Sequence, residues 1–226
     1  MSEMNKAEFN SVTAEMLKVI SDYDSATGFQ GAYNIRRDSQ CAGRRSSENI
    51  TITSKTDKPG IDIRIKPGTK GETVYIPACV THSDVDDLVY NDFYVGEGAD
   101  VVIVAGCGVH SGVLNDGEEQ ARHNGIHRFF LEKGARVLYK EKHIGTGKGT
   151  GLRKIDPVTD AYLKEDSYLE MDTVQLRGVD RTTRSTSAVL DKGAKIVVRE
   201  RIMTDGDEDA VTKFRVELNG EDCGAD

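Results

Sequence analysis

Val95-Gly96-Glu97-Gly98-Ala99-Asp100-Val101 decides how this chain is read, because the pattern returns. It comes back as Leu131-Glu132-Lys133-Gly134-Ala135-Arg136-Val137 and as Leu190-Asp191-Lys192-Gly193-Ala194-Lys195-Ile196. Leu163-Lys164-Glu165-Asp166-Ser167-Tyr168-Leu169 is a weaker copy, and Val216-Glu217-Leu218-Asn219-Gly220-Glu221 opens the same way, slightly shifted. Each copy reads as strand, polar residues, Gly or Asp, a small residue, strand. Gly or Asp tolerates the left-handed backbone of a sharp corner. The small residue beside it lets one corner stack on the next. Taking Gly98, Gly134, Asp166, Gly193 and Gly220 as markers, the corner advances by 36, 32, 27 and 27 residues. The longer steps hold Gly-rich or His-rich insertions at 106–125 and 145–151. A fixed corner at a nearly constant step is the pattern of a solenoid.

Between corners the period is two. Ile50-Thr51-Ile52-Thr53, Ile61-Asp62-Ile63-Arg64-Ile65 and Thr212-Lys213-Phe214-Arg215-Val216-Glu217-Leu218 alternate apolar and polar residues, as half-buried strands do. An antiparallel meander or jelly roll also alternates, but it has no reason to repeat one corner at one step. The chain is therefore expected to be mainly β, a parallel β-helix. The one helical pattern spans 5–23, where Phe9, Val12, Met16, Val19, Ile20 and Tyr23 share a stripe and Gly28 is placed as the stop. The expected organisation is an N-terminal helical segment, 1–28, packed on a β-helix core, 29–226.

The 226 residues carry 30 Lys and Arg against 38 Asp and Glu, a net charge of −8. That balance offers phosphate backbones no general attraction, so nucleic acid is not an expected partner. No apolar run approaches the roughly 20 residues that cross a bilayer. Residues 1–10 lack the apolar centre of an export signal. A cytoplasmic protein without membrane contact is expected. Cys41, Cys79, Cys107 and Cys223 have no tight mutual spacing and read as reduced thiols rather than a disulfide framework.

Several stretches taken together resemble the SufB/SufD family. They are Gly31-Ala32-Tyr33-Asn34-Ile35-Arg36, Asp87-Leu88-Val89-Tyr90-Asn91-Asp92-Phe93, Val104-Ala105-Gly106-Cys107-Gly108 and His123-Asn124-Gly125-Ile126-His127-Arg128-Phe129-Phe130. Leu190-Asp191-Lys192-Gly193-Ala194 followed by Val198-Arg199-Glu200-Arg201 fits as well. Members of that family are scaffold subunits of the machinery that mobilises sulfur and assembles iron–sulfur clusters. The resemblance implies a right-handed parallel β-helix and a scaffold rather than an enzyme. It implies as partners a SufC-type ATPase, another SufB/SufD-type subunit in a homo- or heterodimer, and a sulfur donor protein. It implies a transient iron–sulfur cluster and no firmly bound cofactor. Family members continue with more coils and a helical segment, which this sequence does not carry beyond Glu221-Asp222-Cys223-Gly224-Ala225-Asp226. A solenoid that stops there is expected to self-associate through its last strand or to fray in its last coil.

Cys107 is the foremost chemical candidate. In B-type family members the Cys at this Ala-Gly-Cys position is implicated in receiving sulfur and passing it along the β-helix interior. Strand alternation places Cys107 on one face with Val101, Ile103 and Ala105. Sulfur acceptance needs the thiolate, and His110 and His123 are candidates to deprotonate it. The competing reading is a buried, inert thiol. The wider set Cys107, His110, His123, His127 and His143 has zinc- or iron-ligand chemistry. The x3 spacing of His123 and His127 is read as a same-face pair only in a helix, whereas 126–131 reads as a strand with His127 facing the core beside Phe129 and Leu131. One core histidine and several exposed loop histidines are therefore expected, and whether a metal binds stays open, with His110, His123 and His127 as its candidate ligands.

Gly145-Thr146-Gly147-Lys148-Gly149-Thr150-Gly151 lacks the Lys-Ser/Thr and following helix of a phosphate loop, and reads as a flexible surface loop. Arg36, Arg37, Arg44 and Arg45 read as solvated loop charges. Arg181, Arg184, Arg199 and Arg201 read as outer-face charge ladders worth little each. The acidic run Asp205-Gly206-Asp207-Glu208-Asp209 reads as a solvated turn. Two other functions compete. A cupin-like metal enzyme using Cys107 and the histidines would need a closed double-sheet barrel. A carbohydrate-active β-helix would need a groove of paired carboxylates and aromatic platforms. No Gly-x-Ser-x-Gly elbow is present.

Overall fold

A computed structural model describes residues 11–81, 83–111, 120–149 and 151–226. The repeated corners bend where the sequence puts them. Gly98 (φ 62°), Gly134 (62°), Asp166 (58°) and Gly193 (67°) all adopt left-handed backbone. Gly68 (70°), in Lys66-Pro67-Gly68-Thr69, is an earlier copy that the repeat reading passed over. In the last copy the bent residue is Asp222 (56°), not Gly220, because that corner carries an extra residue. The neighbouring Ala99, Ala135, Ser167 and Ala194 are buried. Each corner amide donates to a carbonyl of the next corner: Gly98 to Lys133, Gly134 to Glu165, Asp166 to Lys192 and Gly193 to Glu221, at 2.8–2.9 Å. The corners thus stack into a hydrogen-bonded column of their own.

The elements follow from this. The helix α1 (Ser11–Ser21) precedes two antiparallel hairpins, β1 (Ala32–Arg37) with β2 (Gln40–Arg45), and β3 (Ile50–Ser54) with β4 (Gly60–Ile65). The coils come next. They are β5 (Lys70–Val80) with β6 (Asp86–Val95), then β7 (Asp100–His110) with β8 (Gln120–Leu131). After them β9 (Arg136–Thr146) is followed by a strand that Asp156-Pro157 breaks into β10 (Leu152–Ile155) and β11 (Val158–Leu163). Then come β12 (Tyr168–Gln175) with β13 (Arg181–Leu190), and β14 (Lys195–Ile202) with β15 (Asp209–Leu218), before the short β16 (Gly224–Ala225). One sheet runs β16-β14-β12-β9-β7-β5-β1-β2, and the facing sheet holds β13, β11, β8, β6, β4 and β3, with β10 between β8 and β13 and β15 on β13. Every pairing other than the two hairpins is parallel. The chain is a parallel β-solenoid of about 5 turns, 61% strand and 5% helix. A cupin barrel is excluded, because its strands alternate in direction around the pocket.

The interior next to the corners is apolar. Ile63, Phe93, Phe129, Ala161 and Ala188 align strand by strand on one sheet, facing Val101, Val137, Leu169 and Ile196 on the other. The Phe93 and Phe129 rings stack at 4.6 Å. At about 1.5–3 kcal/mol per buried large side chain, these ladders are the main favourable term holding the coils together.

The helix lies on the outer face of β5, β7 and β9 through Met16, Leu17 and Ile20, all buried. Gly106 and Gly108 make room for it. A Cβ on Gly106 would lie 2.6 Å from the Ile20 carbonyl oxygen, and one on Gly108 2.5 Å from Met16 Sδ. Two details of the helix reading change. Leu17, off the expected stripe, is fully buried, while Val19 is 36% exposed. The helix ends at Ser21, and Gly28 (φ 68°) closes a separate turn by donating to the Asp24 carbonyl at 2.7 Å. Phe9 lies outside the described residues, as does much of the His-rich insertion, 112–119. Gly145 is not in a loose loop: it ends β9 against Gly178, whose carbonyl oxygen would lie 1.6 Å from an added Cβ. The strand β15 pairs with β13 over its whole length yet is largely exposed, Phe214 and Leu218 included, with Val216 partly buried against the core.

Candidate functional site

Away from the corners the solenoid interior turns polar. The corner alanines point inward, so counting by twos from them gives the inward side chains of each following strand. From Ala99 the count reaches Cys107, and from Ala135 it reaches Tyr139, Glu141 and His143. Counting back by twos from the last strand residue on the facing sheet gives Asn91 and Asp87 from Val95, and His127 and His123 from Leu131. From Leu190 it gives Thr186, Arg184 and Thr182. All of these are buried. Strand register lines them up along the axis. Cys107, His143 and Gln175 form one ladder, Asn91, His127, Thr159 and Thr186 another, and Asp87 and His123 begin a third. The result is a buried polar column running through the coils.

At the N-terminal end of the column, Asp87 is clamped by Arg36. Arg36 Nε donates to both carboxylate oxygens at 2.8 and 2.9 Å, and Nη2 to Oδ1 at 2.6 Å. His123 Nδ1 lies 3.1 Å from Asp87 Oδ2. Burial alone would raise the Asp87 carboxyl, but the hydrogen bonds from His123 and Arg36 outweigh it and hold the group well below the usual carboxylate range.

A second network surrounds Glu141. Tyr139 donates its hydroxyl to Glu141 Oε1 at 2.8 Å, and Arg184 Nη1 donates to Oε2 at 2.8 Å. His143 Nε2 sits 3.3 Å from the same carboxylate. His127 Nδ1 is 3.0 Å from Tyr139 Oη. Because the hydroxyl proton goes to Glu141, His127 is the donor in that contact. Arg184 also meets Glu200, which accepts from Thr212 at 2.6 Å on the exposed strand β15. An unbroken line of polar contacts therefore leads from His127 to the solvent-facing end of the chain. Burial opposes charge on Glu141, but His143 and Arg184 overcome it, and the carboxylate stays ionised well below its usual range. His127 is neutral, pushed down to about 4 by burial.

Cys107 stands between these networks. It lines a cavity of about 20 Å³ together with His123, His127, Glu141 and Arg36, room for one water molecule. Burial, then Cys79, Asp87 and Glu141, push its thiol well above the usual value, so it rests as the neutral thiol. Any thiolate chemistry needs a base brought to it, and His123 and His127 are the neighbours that share its cavity.

Several sequence-based assignments change here. His123, His127 and His143 are 6%, 5% and 2% exposed, so three histidines are in the core where one was expected. Spacing of x3 gives one face in a strand too, since four is a multiple of two, which puts His123 and His127 on the same inward face of β8. Cys107 and His110 are three apart and face opposite ways. His110 Nδ1 instead meets Thr146 Oγ1 at 2.9 Å, so His110 is no base for Cys107. Arg184 is no surface ladder member but a buried partner of Glu141 and Glu200. Arg36, Arg37, Arg44 and Arg45 sit on strands β1 and β2 rather than in a loop, and Arg36 holds Asp87. Arg199 and Arg201 do form outer-face pairs, with Glu170 and Asp172. The run 205–209 turns at 206–207 and leads into β15, with its aspartates exposed. Among the described residues, no three His, Cys, Asp or Glu side chains already stand as a metal site, and no helix is long and apolar enough to cross a membrane.

The chain is 26% identical over 205 residues to a curated protein of Archaeoglobus fulgidus described as an iron–sulfur cluster assembly SufBD family protein. The match takes in 73% of this chain and 54% of that protein, so the chain spans about half the length of this relative. No family model matches the chain.

Proposed function

We propose that this protein works in iron–sulfur cluster assembly as a scaffold subunit rather than an enzyme. It takes up sulfur at Cys107 and passes it along the solenoid interior. The observation that carries this reading is the inward Cys107 set within a continuous buried polar column. Such a column is costly. Each buried polar group loses its hydration, and an ion pair such as Glu141 with Arg184 is often no more stabilising than packed apolar residues. Likeness to the A. fulgidus protein supports the same reading, as does the resemblance of the Cys107 and His123–Phe130 segments.

The step needed is thiol–persulfide exchange. A histidine takes the Cys107 proton, and the thiolate attacks the outer sulfur of a donor persulfide. The donor's S–S bond breaks as a new S–S bond forms on Cys107. The donor leaves as a thiolate, which recovers the proton. No net oxidation occurs. The reading calls for a SufC-type ATPase, a second SufB/SufD-type subunit and a sulfur donor protein as partners. The cluster is their cargo. The test is cluster delivery to an apo-acceptor by the chain assembled with these partners. Cys107→Ser is expected to slow it by about tenfold or more, while Cys41→Ser leaves it unchanged. Equal rates for Cys107→Ser and the unaltered chain would remove Cys107 from the pathway.

A further inference from the structure

We propose that His123 and His127, with Cys107 facing them, form a binding site inside the solenoid for one zinc-like transition-metal ion. The inference rests on the geometry of β8 and not on the assembly reading. The inward positions of β8 are Ala121, His123, Gly125, His127, Phe129 and Leu131, and only Gly125 lacks a side chain. A Cβ placed there would lie 2.7 Å from His127 Nε2 and 3.1 Å from His123 Nε2. The two rings lean toward each other over the glycine, and both Nε2 atoms converge on the space it leaves. Gly125 does not have a left-handed backbone that would demand glycine. The room for the imidazoles is the reason a larger residue does not fit.

The other ring nitrogens are occupied. His123 Nδ1 faces Asp87, itself fixed by Arg36, and His127 Nδ1 faces the Tyr139 hydroxyl, itself bonded to Glu141. With Nδ1 of each ring engaged in these hydrogen bonds, Nε2 is the nitrogen left to bind a metal. A carboxylate behind a histidine, directly or through a hydroxyl, is the arrangement that orients metal-binding imidazoles and makes them better donors. The cavity of about 20 Å³ beside them also touches Cys107. Among the described residues, no three such ligands already stand together. Binding therefore requires Cys107 to turn toward the two nitrogens and release its proton to solvent, as a metal-bound thiol does. Two imidazoles and one thiolate suit Zn²⁺ and similar ions. Mg²⁺ and Ca²⁺ prefer oxygen ligands.

The test uses the chelator-stripped full chain, titrated with Co²⁺ as a spectroscopic probe and with Zn²⁺ against a chromophoric chelator. One equivalent of either ion is expected to bind, and the Co²⁺ form is expected to show a thiolate charge-transfer band that Cys107→Ser removes. His127→Gln and Gly125→Ala are expected to weaken binding by about 100-fold or more, and Asp87→Asn by about 10–100-fold. Circular dichroism checks that each variant keeps the β-solenoid, and Gly125→Ala retains every ligand should His127→Gln fold poorly. Sub-stoichiometric binding, or affinity unchanged in both His127→Gln and Gly125→Ala, would overturn the proposal and assign the ion to surface groups such as Cys41. Sulfur uptake plays no part in these readings, so their failure leaves the assembly reading untouched, and the reverse holds.

Discussion

Replacing Glu141 by Gln keeps the shape of the side chain and removes one buried charge. In the native chain this carboxylate is 5% exposed and takes hydrogen bonds from Tyr139 and Arg184, both at 2.8 Å, with His143 at 3.3 Å. Gln cannot accept from all three, and it leaves the Arg184 guanidinium, 4% exposed, with Glu200 as its remaining counter-charge. Breaking one side of a buried pair costs about 3–5 kcal/mol, because the surviving charge stays desolvated. For a urea slope of about 2–3 kcal/mol/M, the unfolding midpoint should fall by roughly 1–2 M. The double variant Glu141→Leu with Arg184→Met removes both charges and should recover most of that loss, because burying an ion pair gains little over burying apolar groups. Urea unfolding followed by far-ultraviolet circular dichroism reads both variants. A loss below about 1 kcal/mol for Glu141→Gln, or a double variant as poor as the sum of the single ones, would refute the buried network.

The stability of the chain should depend on pH through His127. Its folded value of about 4 lies below the ordinary 6.5, so the folded chain binds fewer protons between these limits. Stability is complete above pH 6.5 and falls as the pH drops toward 4, by up to about 1.4 kcal/mol per unit for this one proton. His127→Gln should flatten the slope of urea midpoint against pH, and an unchanged slope would assign the effect elsewhere. Gly106→Ala drives a Cβ to 2.6 Å from the Ile20 carbonyl. It should cost about 1–3 kcal/mol and expose the β7 face to limited proteolysis at α1; full retention of helix protection would contradict the packing. Alkylation should separate the cysteines. Cys41 is exposed and should react first, Cys107 more slowly as its cavity admits reagent in the folded chain, and Cys79, pushed up to about 12 by burial, only as the chain unfolds. Cys107 reacting as fast as Cys41 would show that its burial does not restrict reagents.

The corner repeat made the fold legible, because Gly98, Gly134, Asp166 and Gly193 record a backbone requirement that few residues meet. The same repeat also fixes which side chains point inward. The inward polar residues of the column lie an even number of positions from the small residue of a corner, or from the apolar residue that ends their own strand. Glu141 and His123 were therefore within reach of simple counting. What the sequence does not reveal is which inward residues meet across the interior. Arg184 finds Glu141, and Arg36 finds Asp87, only once the two sheets face each other at a given height. The left-handed Asp222, set by an extra residue in its corner, was likewise invisible to a fixed-step pattern.

Where sulfur lands on the chain tests the role of Cys107 most directly. The chain incubated with a persulfide donor, trapped and digested, should show a gain of one sulfur atom on the peptide carrying Cys107. The label should persist when Cys41 and Cys223 are replaced by Ser. Sulfur confined to Cys41 and Cys223, with Cys107 unmodified, would contradict the role given to the polar column.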